Sequence, residues 1–249
     1  MNTGPNTVSV LGVRVSGINK AGLLQLVQEW AIQGKLRTLV YVNAYCLNTA
    51  CTDVQYRNIL NHADLVYPDG MGVVWAGRWL NRARLEKLAG WVWLPDVCKL
   101  AVAQNWGIYL LGGKLGIADQ AAEIIKHRYP GLRILGAADG YFISKSETEV
   151  LQEITTLKPH ILFVGMGAPR QEKWCALHRT AICAPIVWAV GALFDTVTGI
   201  EPLAPSWFNA LALEWLWRLL RDPRGKWRRY LIGNPLFLWR VFHQKYLGG

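Results

Sequence analysis

Six short apolar runs rich in β-branched residues, at positions 38–42, 63–67, 108–111, 132–135, 161–164 and 186–190, punctuate the chain. Between them apolar positions recur at helical spacing, which predicts helices near residues 18–33, 47–61, 72–80, 94–105, 117–129, 145–157 and 169–181. This alternation argues for an α/β fold of the Rossmann-like kind, a mostly parallel sheet with helices on both faces. In such a sheet ligands sit beyond the carboxyl ends of the strands. The unusual residues fall there: Asn43 after the first run, Asp69-Gly70 after the second, Gly112-Gly113 after the third and Gly140-Tyr141 after the fourth. Residues 165–172 follow the fifth run, and Gly191 with Phe194 and Asp195 follows the sixth. One cleft would collect them all.

The pattern changes after Ala204-Pro205. A helix rich in Trp, Leu and Arg is expected over 206–221, then a Pro-Arg-Gly break at 223–225 and a second aromatic, basic segment. The chain therefore divides into a sheet domain, 1–204, and a helical appendage, 205–249. Of the net charge of +10, residues 207–249 hold six, from eight Lys or Arg against Glu214 and Asp222. Such an excess calls for an anionic partner: nucleic acid, phospholipid headgroups or a phosphorylated substrate. Trp207, Trp215, Trp217, Trp227, Trp239 and Phe242 lie among the cations, and amphipathic rings beside long cationic side chains suit a membrane's headgroup region. The alternative is a cap that packs its aromatics on the sheet and leaves its arginines in water.

At 249 residues and 52% hydrophobic, the chain folds around a sizeable core. Residues 1–9 show no basic, apolar leader, and no stretch offers the roughly 18 apolar residues that span a bilayer, so a cytoplasmic protein is expected. Five cysteines without a Cys-x-x-Cys pair read as buried thiols.

In residues 165–172 (Gly-Met-Gly-Ala-Pro-Arg-Gln-Glu) the glycines let backbone amides approach a ligand. Pro169 suits the first turn of a helix and would set Gln171 and Glu172 facing the pocket mouth. Asp69 is a strand-end carboxylate able to take a proton from an attacking hydroxyl, although Pro-Asp-Gly turn chemistry also accounts for it. Asp195 reads as a ribose or base ligand, or as a helix cap. The loop at 112–116, Gly-Gly-Lys-Leu-Gly, is loosely like a dinucleotide loop but lacks Gly-x-Gly-x-x-Gly. No P-loop, His-Glu-x-x-His or Asp-x-Asp pair occurs, so neither a P-loop ATPase nor a metal site is expected.

Together, Asp69-Gly70, Gly140-Tyr141-Phe142, residues 165–172, residues 190–195 and Leu-Glu-Trp-Leu-Trp-Arg-Leu at 213–219 resemble the WecG/TagA/CpsF glycosyltransferases, glycosyltransferase family 26. The resemblance runs from Val8 to the C-terminus. It implies an inverting, metal-independent hexosyltransferase without a cofactor, moving an N-acetylmannosamine-like or related sugar from a UDP-sugar to a polyprenyl-diphosphate-linked saccharide in surface polysaccharide biosynthesis. It also implies a peripheral place on the inner face of the cell membrane, with an anionic membrane surface and no nucleic acid as partner; a homo-oligomer stays open. Under it Asp69 is the general base, Asn43 and Gln171 orient the acceptor or donor sugar, and Tyr141 and Asp195 contact the UDP. Tyr41, Lys87, Gly112, Gly113, Gly165, Gly167, Gly191 and Phe194 complete the substrate site. Arg218, Arg221 and Arg228 close over it and stabilise the departing diphosphate in place of a metal.

The chain departs from the family pattern at Tyr41, where threonine is usual, at Lys87, where arginine is usual, and at Leu203, where a basic residue is usual. Lysine keeps the charge but not the bidentate fork of arginine, so the identity of the sugar is what these changes leave most open. Two rival readings remain at this level: a basic nucleic-acid-binding protein, from charge alone, and a nicotinamide-dependent oxidoreductase, from the loop at 112–116.

Overall fold

A computed structural model describes residues 7–247. Residues 1–6 and 248–249, which include most of the segment read for a leader and the end of the appendage, lie outside the described residues. A hairpin of β1 (Thr7–Val10) and β2 (Val13–Ser16) leads to α1 (Lys20–Gln33), β3 (Arg37–Val42), α2 (Ala44–Thr52), α3 (Val54–His62) and β4 (Leu65–Pro68). Then come α4 (Met71–Asn81), α5 (Gly90–Ala103), β5 (Gly107–Gly112), α6 (Ile117–Arg128), β6 (Arg133–Ala138) and α7 (Glu147–Leu157). β7 (Ile161–Gly165), α8 (Arg170–Leu177), β8 (Ile186–Ala189) and α9 (Leu193–Val197) follow. The chain finishes in α10 (Ser206–Ala210), α11 (Glu214–Arg221), α12 (Pro223–Trp227), a π-helical turn (Arg228–Ile232) and α13 (Gly233–Tyr246).

Six strands form one parallel sheet in the order β4-β3-β8-β7-β5-β6. Successive side chains of a strand point to opposite faces, so a strand covered on both sides is apolar throughout. In β7, Ile161 and Phe163 join the core beneath α1, α5, α6 and α9, while Leu162 and Val164 join the core beneath α7 and α8. β8 divides likewise, and Trp188 stacks on Trp93 of α5 with ring centroids 3.9 Å apart. The predicted sheet, with helices on both faces, is the one observed.

Several boundaries differ from the sequence reading. The hairpin is an addition: its alternating valines Val8, Val10, Val13 and Val15 are buried against α4 and β4. The helix expected over 47–61 is two helices, because Asp53 ends α2 and caps α3 by accepting from Tyr56 N at 2.9 Å. The helix expected over 206–221 is broken at Ala212, whose φ is +60°. The expected break at 223–225 is instead helical, with Pro223 in the first turn of α12 and Asp222 accepting from Gly225 N at 2.9 Å. Of the cysteines, Cys46, Cys98 and Cys175 are buried, but Cys51 is half-buried and Cys183 exposed.

The last helix returns to the first half of the chain. Phe237 and Val241 of α13 are buried in the core shared by the hairpin, α2 and α4. Gln244 accepts from Leu11 N at 2.8 Å, and Arg240 donates to the Asn48 carbonyl at 2.9 Å.

Candidate active site

Strand ends build the cleft. β3 and β4 finish side by side, with Val42 opposite Pro68, and the next residues, Asn43 and Asp69, share the space beyond them. Asn43 caps α2, its Oδ1 accepting from Cys46 N at 3.2 Å. Asp69 stays tied to β3 because its N–H donates to Val42 O at 2.9 Å. Two cavities open here. The larger, about 720 Å³, reaches from Tyr41 and Val190 on the sheet to Arg218, Lys226, Arg228, Arg229 and Arg240 of the C-terminal helices. The smaller, about 400 Å³, is walled by Trp75, Leu213, Trp215, Phe237 and Leu238 together with Lys87 and Glu214. Asn43, Tyr45, Asp69, Arg218 and Arg229 line both. Asp69 therefore stands where a cationic cavity meets an apolar one.

The charges nearby form a chain. Lys87 donates to Glu214, Arg218 donates to Glu214 at 2.9 Å and to Glu201 at 3.2 Å, and Lys226 donates to Glu201 at 2.5 Å. Burial opposes ionisation of both glutamates, but Arg218 with Lys87 or Lys226 outweighs it and holds each carboxyl below its usual range. Asp69 makes no such ion pair among the described residues. Burial, with the nearby charge of Glu214, pushes its carboxyl up to about 7 against the pull of Arg218, Lys87 and Arg229. A carboxylate poised near neutrality can take a proton at working pH and release it afterwards.

Gln171 and Glu172 do not face the pocket mouth. They lie under the floor, 0% and 1% exposed. Gln171 Oε1 accepts from Gly191 N at 2.9 Å and from Gly167 N at 3.2 Å, and its Nε2 donates to Glu172 Oε1 at 2.8 Å. Burial pushes the Glu172 carboxyl up to about 7.

The strand-end glycines permit close backbone approach. A Cβ on Gly112 would lie 2.4 Å from Gly165 O, and one on Gly165 would lie 2.9 Å from the Phe194 ring. Gly113 N donates to Gly165 O at 2.9 Å. Gly112, Gly113, Gly165 and the buried Phe194 thus shape the strand ends and line neither cavity. Tyr41 and Gly167 line the larger cavity, and a Cβ on Gly191 would meet Tyr41 Oη at 2.4 Å. Tyr141 and Asp195 stand outside both cavities. Tyr141 is exposed beneath Arg170, whose guanidinium carbon lies 4.7 Å from the ring centre, while Asp195 is half-buried beside Thr196, a residue of the larger cavity. Arg218 and Arg228 line the larger cavity, but Arg221 is exposed and lines neither.

Over residues 8–248 the chain matches the model of the Glycosyl transferase WecG/TagA/CpsF family. The chain belongs to that family. Among its relatives are the N-acetylglucosaminyldiphosphoundecaprenol N-acetyl-beta-D-mannosaminyltransferases of Staphylococcus aureus strains MW2 and NCTC 8325 / PS 47. Each is 27% identical over 242 residues, covering 96% of this chain and 93% of the relative. The protein is a glycosyltransferase, as the motifs at Asp69, 165–172 and 213–219 indicated. Among the described residues of this WecG/TagA/CpsF member, no three His, Cys, Asp or Glu side chains gather to hold a metal ion. No described helix is long and apolar enough to cross a membrane.

The sequence reading missed Arg229, Arg240, Lys226, Glu201 and Glu214, all of which line the cleft. Spacing along a basic segment does not reveal which arginines turn inward, and the π-helical turn at Arg228–Ile232 changes the helical phase there, so that both Arg228 and Arg229 line the larger cavity. Glu214 did carry a signal: one of only two acids on a strongly basic segment, it implies a partnered, partly buried carboxylate.

Proposed function

We propose that this glycosyltransferase moves a hexose, N-acetylmannosamine-like or closely related, from a UDP-sugar to a polyprenyl-diphosphate-linked saccharide with inversion. The position of Asp69 at the junction of the two cavities carries the reading. The larger, arginine-rich cavity suits a nucleoside diphosphate. The smaller, with walls of Trp, Leu and Phe, suits an acceptor sugar and the first prenyl units behind it. The relatives' names, with their diphosphoundecaprenol acceptor, support this division.

In the transfer, the acceptor hydroxyl oxygen attacks the anomeric carbon as the bond from that carbon to the diphosphate oxygen breaks. The hydroxyl proton passes to the Asp69 carboxylate, and the bonding electrons leave with UDP. A single displacement inverts the anomeric centre. The charge gained by UDP falls in the cavity of Arg228 and Arg229, which form no ion pairs with acids among the described residues. Arg218, committed to two glutamates, holds the wall in place.

Peripheral attachment to the inner membrane face is part of the proposal. Trp79 packs against Phe242 and Tyr246, with ring centroids 6.1 and 6.0 Å away, in an exposed aromatic cluster of α4 and α13. The exposed Trp75 and Leu238 of the same helices line the smaller cavity, so a lipid-facing surface there would lead into the acceptor site.

The test is calorimetric titration with UDP, and assay of UDP release from UDP-sugars with a polyprenyl-diphosphate-linked acceptor, for wild type and Asp69→Asn. The expected outcome is a loss of turnover of about 10²–10⁴-fold with UDP affinity nearly unchanged. Wild-type turnover in the variant would remove Asp69 as the base, and a wild-type protein that does not bind UDP would remove the donor assignment.

A further inference from the structure

A side chain with no direct route to substrate ties the cleft floor together. Gly167, in the loop after β7, and Gly191, in the loop after β8, both point their N–H groups at the single oxygen of Gln171. Both glycines have positive φ, +79° and +58°. Their neighbours Ala168, Val190 and Ala192 line the larger cavity. The tie works only while the Gln171 oxygen faces the two donors. A flipped amide would set an NH₂ group against two N–H groups and lose both bonds. What opposes the flip is Glu172, which accepts from Gln171 Nε2 at 2.8 Å.

We propose that Glu172 is a positioning residue for the transfer: it locks the orientation of the Gln171 amide and thereby fixes the spacing of the two glycine loops beneath the larger cavity. This rests on the transferase reading above. The surroundings of Glu172 favour that role over a structural ion pair. It forms no salt bridge with Lys, Arg or His among the described residues, and the titratable groups on which its charge bears are Tyr41, Cys46, Tyr56, Tyr67 and Cys175. Its second oxygen is buried without a hydrogen-bond partner, as is Tyr56 Oη. Because burial raises its carboxyl to about 7, glutamine is a close stand-in for the protonated form.

The experiment compares full-length wild type, Glu172→Leu and Glu172→Gln by steady-state kinetics and by amide hydrogen exchange over the segments 165–168 and 190–192. Leucine is expected to lower kcat/KM for the UDP-sugar about tenfold or more, raising the donor KM and leaving the acceptor KM unchanged, with faster exchange confined to the two loops. Glutamine still accepts from Gln171 and is expected to recover donor kinetics and exchange protection to within about threefold of wild type. Wild-type kinetics and exchange in Glu172→Leu, or a glutamine variant as impaired as leucine, would overturn the proposal. Should the leucine variant not fold, Gln171→Met, which removes the shared acceptor, carries the same expectation, and wild-type donor kinetics in it would overturn the proposal equally. If the wild type transfers no sugar, the transferase reading fails, while the exchange comparison still decides whether the tie exists.

Discussion

A buried carboxylate that forms no ion pair destabilises the fold once it is charged, and Asp69 and Glu172 are both such groups among the described residues. Their folded-state values, raised by burial to about 7, lie above the ordinary carboxyl range. Between that range and pH 7 the folded chain binds more protons than the unfolded one, so stability falls as pH rises through this window and the loss is complete above it. Asp69→Asn should therefore raise the melting temperature at pH 8 by about 2–4 °C, corresponding to about 1 kcal/mol, and change it little at pH 4, as read by scanning calorimetry. As the proposed general base, the same carboxylate should set the acid limb of kcat/KM near pH 7. Lys87→Met removes a cation that favours the ionised form, so the limb should move to higher pH; a shift to lower pH would contradict the charge arrangement around Asp69. Asp69 and Asn43 were legible as strand-end polar residues. The burial of Gln171 was not, because its oxygen accepts from the N–H of Gly191, twenty residues away in sequence.

The sheet was readable because its strands are apolar on both faces and so stand out as unbroken runs. The hairpin escaped notice because each strand is only four residues long and alternates between buried and exposed. Helix breaks set by side-chain caps, as at Asp53 and Asp222, leave no mark on hydrophobic periodicity. The element hardest to foresee was α13, whose composition suits both a lipid surface and a core. Phe237→Ala should destabilise the protein by about 3–5 kcal/mol in a denaturant titration, since the ring is 2% exposed and packs on α4 at Gly72. A loss below about 1 kcal/mol would mean that the helix is only loosely docked. Removing residues from 206 onward is accordingly a poor test of the appendage, because it also uncovers the core beneath α13.

At the scale of the whole molecule, charge and exposed aromatics fall on the same C-terminal helices. Trp239 and Phe242 are 60% and 49% exposed, and changing both to Ser should weaken binding to vesicles containing anionic lipid by about tenfold or more without lowering the melting temperature. Raising the salt concentration should weaken binding of the wild type as well, each basic residue near the surface contributing about 1 kcal/mol. Retained vesicle binding in the double variant would move the contact elsewhere. Composition alone made the segment's basic, aromatic character plain, but not which rings turn inward, since that depends on a groove formed by α2, α4 and the hairpin. The larger cavity takes residues from Tyr41 to Arg240. A ribosome making this chain thus lays down the sheet-side wall with Asp69 first and the arginine wall last, and a nascent polypeptide has no complete cleft until α13 has been translated and has folded back.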